Sequence, residues 1–194
     1  MLPVYRYLDH LPPPPADLMG DLSRFYKNTT FIHRAENVTN PREVKYNVDL
    51  PNGPNPREFY NFNIDDELGD WLRENIMSDA NTYAVGLYGP FDDVKNDRPI
   101  HIDWSRDYVL MYLTEPGGER VETAWYKSDS RPLVLDKDCK DIFYPEELTE
   151  IDRVCFEPRR WVVFNVKIIH HVTGLTGLRQ SIQLGFHQNP FGLI

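Results

Sequence analysis

Three residues of the chain have the side chains and the spacing of metal ligands. His101 and Asp103 are separated by one residue at the end of a predicted strand. The two-residue period of a strand sends both side chains to one face and Ile102 to the other. A lone His-x-Asp pair is also common at an ordinary exposed strand end. A further histidine in the run IIHHV, His170 or His171, would complete a set of three.

Two imidazoles and one carboxylate on one face are the donor set that non-haem iron(II) oxygenases use. Such a site leaves coordination positions for a chelating cosubstrate and for dioxygen, and a fourth protein donor would block that chemistry. The sequence therefore predicts an iron site, provided that the fold brings the strand end at His101 close to the distal histidine.

A second group of polar residues follows on the strand RQSIQLGF. Arg179 and Ser181 share one face of this strand with Gln183 and Gly185, and the apolar residues occupy the other face. In an ordinary sandwich this polar face would simply meet solvent. Beside a metal, Arg179 could bind a carboxylate through two charge-assisted hydrogen bonds, and Ser181 could donate another. A dicarboxylate that chelates the metal at its other end fits this arrangement.

The residues that must position these groups form short β-rich runs from Thr82 onward, separated by Gly, Pro, Asp and Asn. Their number and spacing predict a sandwich, jelly roll or barrel. The runs are TYAVGLYG, RPIHIDW, DYVLMYLT, ERVETAWYK, RPLVL, RVCFE, RWVVFNV, IIHHV and RQSIQLGF.

The part of the chain before the β-rich runs has a different character. Helical spacing of apolar residues predicts one helix in ADLMGDLSRFYK and a second in IDDELGDWLRENIM. The stretch from Thr30 to Asn63 is rich in Asn, Pro and charge, so we expect irregular structure there with one strand near Glu43 to Val48.

Composition sets the broad class. With 194 residues, 41% of them hydrophobic, the chain can bury one substantial core. We therefore expect a single domain over 1–194, with a helical and irregular part at 1–81, a β core at 82–187 and a tail at 188–194. The net charge of -9 argues against nucleic-acid binding. Without an apolar leader, a membrane-length stretch or a paired cysteine motif, the expected location is the cytoplasm.

The motifs HID, HHV and RQS, in this order and spacing, resemble the 2-oxoglutarate- and iron(II)-dependent dioxygenases, particularly their prolyl-4-hydroxylase-like branch. The resemblance covers about residues 82–187. It implies a double-stranded β-helix, the jelly roll of cupin-like proteins, with flanking N-terminal helices. It also implies that His101, Asp103 and His170 hold Fe(II), and that Arg179 and Ser181 bind the distal carboxylate of 2-oxoglutarate.

Three tyrosines enter through the same resemblance. The run YLTEPGGE is similar to the family's Tyr-Leu-Asn segment followed by glycines, which makes Tyr112 a candidate hydroxyl for the cosubstrate, with a core tyrosine as the alternative. The strand YAVGLYG is similar to the family's tyrosine-bearing strand, so Tyr83 or Tyr88 is expected to face the pocket. Neighbouring strand residues point to opposite faces, and the family pattern selects His170 over His171.

The implied activity is a hydroxylation that consumes 2-oxoglutarate and dioxygen and releases succinate and carbon dioxide. The branch resemblance favours a peptidyl, prolyl-type substrate, with a small molecule as the alternative. Candidate residues at the pocket rim are Trp104, Arg106, Trp125 and Tyr126, although aromatic strand residues more often belong to the core. Two other classes stay open: a cupin-like metalloenzyme that does not use 2-oxoglutarate, and a noncatalytic β-sandwich with a binding or structural role.

Overall fold

The computed structural model describes residues 3–25, 30–33, 44–47, 59–88, 100–103, 106–128, 133–135, 140–142, 148–189 and 191. Within these ranges the chain is mainly β. The helices are α1 (Ala16–Met19), α2 (Glu67–Asn75) and a 3-10 helix (Leu22–Phe25). The strands are β1 (Tyr5–Tyr7), β2 (Thr30–His33), β3 (Val44–Asn47), β4 (Phe59–Asn63), β5 (Thr82–Tyr88), β6 (Tyr108–Pro116), β7 (Glu122–Ser128), β8 (Leu133–Leu135), β9 (Lys140–Ile142), β10 (Leu148–Cys155), β11 (Trp161–Asn165), β12 (Ile169–Thr173) and β13 (Arg179–Phe186).

Two antiparallel sheets organise these strands. The larger sheet has six strands in the order β1-β11-β6-β13-β5-β4, and the smaller has three in the order β10-β7-β12. Two-stranded pairs, β2 with β3 and β8 with β9, complete the described pairings. The mainly-β class expected from the sequence is confirmed, and the arrangement is that of a β-sandwich.

Most of the predicted strands are present, and β13 has the bounds of the run RQSIQLGF. The run RPIHIDW was predicted to be a strand, and for its described residues this is wrong: His101 forms only an isolated bridge to His170. The stretch from Thr30 to Asn63, expected to be irregular apart from one strand, also contains β2 and β4. The run FYNFN of β4 pairs along β5, a long-range contact that composition alone does not indicate.

The two helix predictions differ in outcome. The second helix forms as α2, where Asp66 caps the N-terminus by accepting a hydrogen bond from the backbone N–H of Leu68. The first predicted helix is broken into α1 and the 3-10 helix at Gly20, whose φ of 43° is left-handed. Glycine adopts this conformation without a Cβ clash, so the helix can end at Gly20. The helical spacing of apolar residues, on which the prediction rested, continues past this break.

Successive side chains of a strand point to opposite faces of the sheet. The strands of the six-stranded sheet carry apolar residues at both sets of positions, so both faces of this sheet are apolar. One face packs against the helices, in a cluster defined here as the helix-side core: Leu8, Leu22, Phe62, Ile64, Leu68, Leu72, Val85, Leu87, Leu110, Tyr112, Trp161, Val163, Ile182, Leu184 and Phe186. The opposite face packs against the three-stranded sheet, in the inter-sheet core: Val4, Val109, Met111, Leu113, Trp125, Phe156, Val162, Phe164 and Val166.

Trp125 ties the two sheets together. This β7 side chain is fully buried, stacks on Tyr5 at 5.5 Å between ring centroids and meets Phe164 edge-on at 6.1 Å. Because Tyr5 and Phe164 belong to the six-stranded sheet, the aromatic contacts hold β12, the neighbour of β7, at a fixed distance from that sheet.

No described helix combines the length and the apolar character that a membrane-spanning helix requires.

Candidate metal centre

Backbone pairing brings His101 and His170 together. The N–H of His101 donates to the carbonyl of His170 at 3.0 Å, and the N–H of His170 donates to the carbonyl of His101 at 2.9 Å. Residues that exchange both bonds in an antiparallel bridge project their side chains to the same side. The imidazole centroids are accordingly 4.5 Å apart, and both residues are buried.

The ring of His170 is oriented by a backbone carbonyl. Its Nδ1 lies 2.9 Å from the oxygen of Ile168, which can only accept, so Nδ1 carries the proton. Nε2 then keeps its lone pair. A carbonyl at the second ring nitrogen is the usual way in which proteins fix the tautomer of a metal-binding histidine.

Asp103 completes the group. Its Oδ1 lies 3.3 Å from Nε2 of His101, and its backbone N–H donates to Val166 at 2.9 Å. Lys167 donates from Nζ to the Asp103 carbonyl at 3.0 Å, which also anchors the backbone at this position. His101, Asp103 and His170 each offer one ligand atom, and these atoms lie within 4.8 Å of one another.

The donor chemistry of this group fits a transition-metal ion. Two imidazoles and one carboxylate, all supplied from one side, correspond to the facial set used for non-haem iron(II). The side chains of the three residues are nearly or fully buried, so water competes weakly for their donor atoms. The prediction that His101, Asp103 and His170 converge is therefore met by their positions, whereas the identity of the ion stays a prediction.

A cavity of about 60 Å³ lies between the two sheets beside this centre. A cavity needs about 10–15 Å³ to hold one water molecule. This cavity therefore has room for a small ligand rather than a macromolecule. Its lining comprises Gly86, Tyr88, Asp103, Arg106, Val109, Met111, Thr123, Phe164, Val166, His170, Val172, Arg179, Ser181 and Gln183.

Arg179 is the notable charge of this cavity. It is only 6% exposed, and no carboxylate of the described residues forms an ion pair with its guanidinium. Burial lowers the pKa of Arg179 to about 10, and proximity to Tyr88 and Cys155 partly opposes the shift. The guanidinium is still protonated at neutral pH, so the cavity holds a buried positive charge without a described counterion.

Ser181 and Gln183 extend this polar face of β13. Nε2 of Gln183 donates to Oγ of Ser181 at 2.9 Å, which leaves the hydroxyl hydrogen of Ser181 available to a ligand. Gly86 faces them from β5, where an added Cβ would lie 2.5 Å from Nε2 of Gln183 and 3.2 Å from Oγ of Ser181. The missing side chain at Gly86 is therefore what leaves space for the two polar groups.

The three candidate tyrosines are divided between the faces of the sheet. Tyr88 pairs with Arg179 in the β5–β13 register and lines the cavity. Tyr112 pairs with Ile182 and lies in the helix-side core, where its ring is 5.0 Å from that of Trp161. The alternative of a core tyrosine is thus the one that describes Tyr112, and the expectation that it faces the cosubstrate is corrected.

Tyr83 is also on the wrong face for a cavity residue. It pairs with Leu184, packs against the helix-side core and donates its hydroxyl to the carbonyl of Met77 at 2.5 Å. The guanidinium of Arg73 covers its ring at 4.7 Å. Because Tyr83 and Tyr88 are an odd number of positions apart on β5, only one of them can face the cavity, and it is Tyr88.

The candidate rim residues have different positions. Arg106 lines the cavity and donates from Nε and Nη2 to Oδ2 of Asp103, at 3.2 Å each. Trp125 belongs to the inter-sheet core, and Tyr126 packs with Ile169 away from the cavity lining. Trp104 lies outside the described residues. For Trp125 and Tyr126, the alternative of core packing is therefore the one that describes them.

Sequence reasoning missed two cavity groups: the pairing of Arg106 with Asp103 and the role of Gly86 as a gap in the sheet. The interval of three residues between Asp103 and Arg106 was a visible signal for the first. The second depends on which β5 residue faces Ser181, which only the strand register determines.

Comparison of the chain with protein-family models and with curated proteins finds no match.

Proposed function

We propose that this chain is an iron(II)- and 2-oxoglutarate-dependent dioxygenase on a double-stranded β-helix. The observation that carries the proposal is that Arg179, a buried cation without a described carboxylate partner, lines the same cavity as Asp103 and His170. A metal centre alone would account for the histidines and the aspartate. It would leave the guanidinium unexplained.

The energetics of burial favour an anionic ligand at Arg179. Removing an ionised group from water is costly unless a partner of opposite charge and hydrogen bonds replace the lost hydration. A carboxylate can accept two parallel hydrogen bonds from a guanidinium, and the Ser181 hydroxyl beside it can donate another. A carboxylate-bearing ligand in this cavity would therefore compensate the charge that the described residues leave unbalanced.

The chemistry of the cavity lining suits a diacid of the 2-oxo type. Arg179 would bind one carboxylate of such a ligand, and His101, Asp103 and His170 would hold a metal ion that could be chelated by the 2-oxo acid group. Two cavity arginines and a divalent ion against one aspartate also give a positive site, which suits a dianion. Apolar residues of the lining, including Met111, Phe164 and Val172, would exclude water from the ligand.

When bound, iron(II) and 2-oxoglutarate supply the activation of dioxygen and the oxidation of a C–H bond, with succinate and carbon dioxide as products. The chain's own residues orient and hold these groups. His101 and His170 are fixed by their backbone bridge, and Asp103 is fixed by Val166 and Lys167. The proposed substrate is a peptidyl, prolyl-type or small-molecule C–H bond, and the proposed location is the cytoplasm.

The β-helix part of the proposal rests on the two antiparallel sheets and on the cavity between them. In this arrangement His101 and His170 lie at an antiparallel bridge beside the three-stranded sheet, and Arg179 begins a central strand of the six-stranded sheet. His170 of the smaller sheet and Arg179 of the larger sheet thus line the same cavity. The order of motifs along the chain agrees with the family that the sequence resembles.

Anaerobic addition of iron(II) and then 2-oxoglutarate tests the proposal. The expected result is a weak visible charge-transfer band that needs both components, followed by succinate formation when oxygen is admitted. Absence of the band, with iron bound, would contradict the use of 2-oxoglutarate and favour a cupin-like metalloenzyme. Failure to bind iron at all would favour a noncatalytic sandwich.

Arg179→Met separates the two ends of the site. We expect the variant to bind iron(II) as the parent does, and to bind 2-oxoglutarate at least about 100-fold more weakly, because the two charge-assisted hydrogen bonds contribute about 1.5–3 kcal/mol each. Equilibrium titration of the metal-loaded protein measures this loss. Arg153→Met is the matched control, since Arg153 pairs with Glu122 and Glu150 at the protein surface. Equal 2-oxoglutarate affinity in the Arg179 variant would reject the assignment.

A further inference from the structure

The two carboxylate oxygens of Asp103 have different partners. Oδ1 faces Nε2 of His101 at 3.3 Å, on the side of the metal ligands. Oδ2 accepts two hydrogen bonds, from Nε and Nη2 of Arg106, at 3.2 Å each. Both donors belong to one planar guanidinium, so they hold the carboxylate in a defined orientation rather than merely near a positive charge.

Arg106 itself is held in place. It is 9% exposed, although it carries a charge, and it lines the cavity beside Asp103. Its aliphatic stem crosses Gly185 of β13, where an added Cβ would lie 2.8 Å from Cδ of Arg106. The absence of a side chain at Gly185 therefore gives the arginine its path to Asp103.

We propose that Arg106 is a positioning residue that limits Asp103 to a single metal-ligating oxygen and so preserves a coordination position for the cosubstrate. With Oδ2 held by two donors, only Oδ1 is available to the ion. A free carboxylate can bind a metal through both oxygens and would then act as a fourth protein donor. Such a fourth donor would occupy a position that the 2-oxo acid or dioxygen requires.

This inference rests on the proposed metal centre, and its cosubstrate part rests on the proposed function. It makes an unusual prediction for a residue that supports a metal ligand. Loss of such support typically weakens metal binding 10–100-fold. Loss of Arg106 is expected instead to leave metal binding nearly intact, because removing a nearby positive charge and freeing a second oxygen both favour the ion.

The test compares the parent protein with Arg106→Met, which keeps the length of the stem but has no donor. Cobalt(II) binding to the metal-free protein is measured first, by titration and by the visible ligand-field spectrum, which reports the coordination number. We expect an affinity within about fivefold of the parent, against the 10–100-fold loss usual for such residues, and a changed spectrum before any cosubstrate is added. At saturating metal, 2-oxoglutarate should bind at least about tenfold more weakly.

Arg106→Lys and Arg153→Met complete the design. Lysine restores the charge and a single donor group, so partial recovery of the parent spectrum is expected; Arg153→Met removes a surface arginine–carboxylate contact and should change nothing. An unchanged cobalt spectrum together with parent-like 2-oxoglutarate affinity in Arg106→Met would overturn the proposal. If Arg106→Met does not fold, Arg106→Leu carries the same comparison because it also lacks a donor, and a spectrum identical to the parent's counts against the proposal.

The two hypotheses can fail separately. If the parent protein binds cobalt but not 2-oxoglutarate, the proposed oxygenase function is rejected, whereas the cobalt spectra still decide whether Arg106 limits Asp103 to one oxygen. If the parent binds both, and Arg106→Met binds both equally well with the parent's spectrum, the function stands and the role of Arg106 is rejected.

Discussion

His170 and His171 are adjacent in the chain, yet only His170 lies against His101. The alternation of β12 places His170 in the cavity lining, and His171 is half-buried beside Ala124 on the opposite side. We therefore expect His170→Ala to lose metal affinity by two orders of magnitude or more, since one of three ligands is removed. The neighbouring His171→Ala is the matched control and should bind the metal as the parent does.

Isothermal titration with cobalt(II) or iron(II) under anaerobic conditions measures this contrast. Comparable losses in both histidine variants would show that the effect comes from unfolding or from a surface site. A loss confined to His171→Ala would reverse the assignment of the ligand and contradict the bridge geometry as the source of the metal centre.

Between elements, the approach of β5 to β13 decides how much space the ligand has. Gly86→Ala would place a methyl group 2.5 Å from Nε2 of Gln183 and 3.2 Å from Oγ of Ser181. The expected result is about tenfold weaker 2-oxoglutarate binding at saturating metal, equivalent to about 1.4 kcal/mol, with an overpacking cost of about 1–3 kcal/mol in stability. Ligand titration and thermal unfolding measure the two effects separately.

Gly177→Ala is the control for that variant, because a Cβ at Gly177 has no contact closer than 3.6 Å. It should leave both stability and 2-oxoglutarate affinity near the parent values. Parent-like ligand binding in Gly86→Ala would mean that Ser181 and Gln183 do not contact the ligand, since the added methyl group must displace at least one of them.

At the scale of the whole molecule, the centre joins the segment at His101 and Asp103 to strand β12, so metal binding should stabilise the fold. A metal at 100 times its dissociation constant contributes about 2.7 kcal/mol when it binds the folded state alone. For a chain of this size we expect an increase in Tm of about 5–10 °C. Scanning calorimetry with and without cobalt(II) measures the increase, and His170→Ala should abolish it. An equal increase in that variant would show binding elsewhere.

The sequence predicted the local features well where short-range chemistry decides them. Alternation of polar and apolar residues defined β13 with its observed bounds, and the helical spacing of apolar residues in IDDELGDWLRENIM marked α2. The same alternation assigned Arg179 and Ser181 to one face. In contrast, the break at Gly20 and the short strand β2 were not predicted, because a left-handed glycine and a distant strand partner leave no periodic signal.

Residue types and spacing, which are properties of the chain itself, were sufficient to nominate His101 with Asp103 and Arg179 with Ser181. The choice of His170 over His171 came from the resemblance to a known family. Only the tertiary structure decided which tyrosine shares their cavity, because the face of a residue relative to a neighbouring strand depends on register. The pairing of Arg179 with Tyr88, and of Ile182 with Tyr112, separates two residues that the sequence treated alike. The contact of Arg106 with Asp103 likewise required a folded loop, since hydrogen bonding between side chains depends on distances that sequence spacing does not specify.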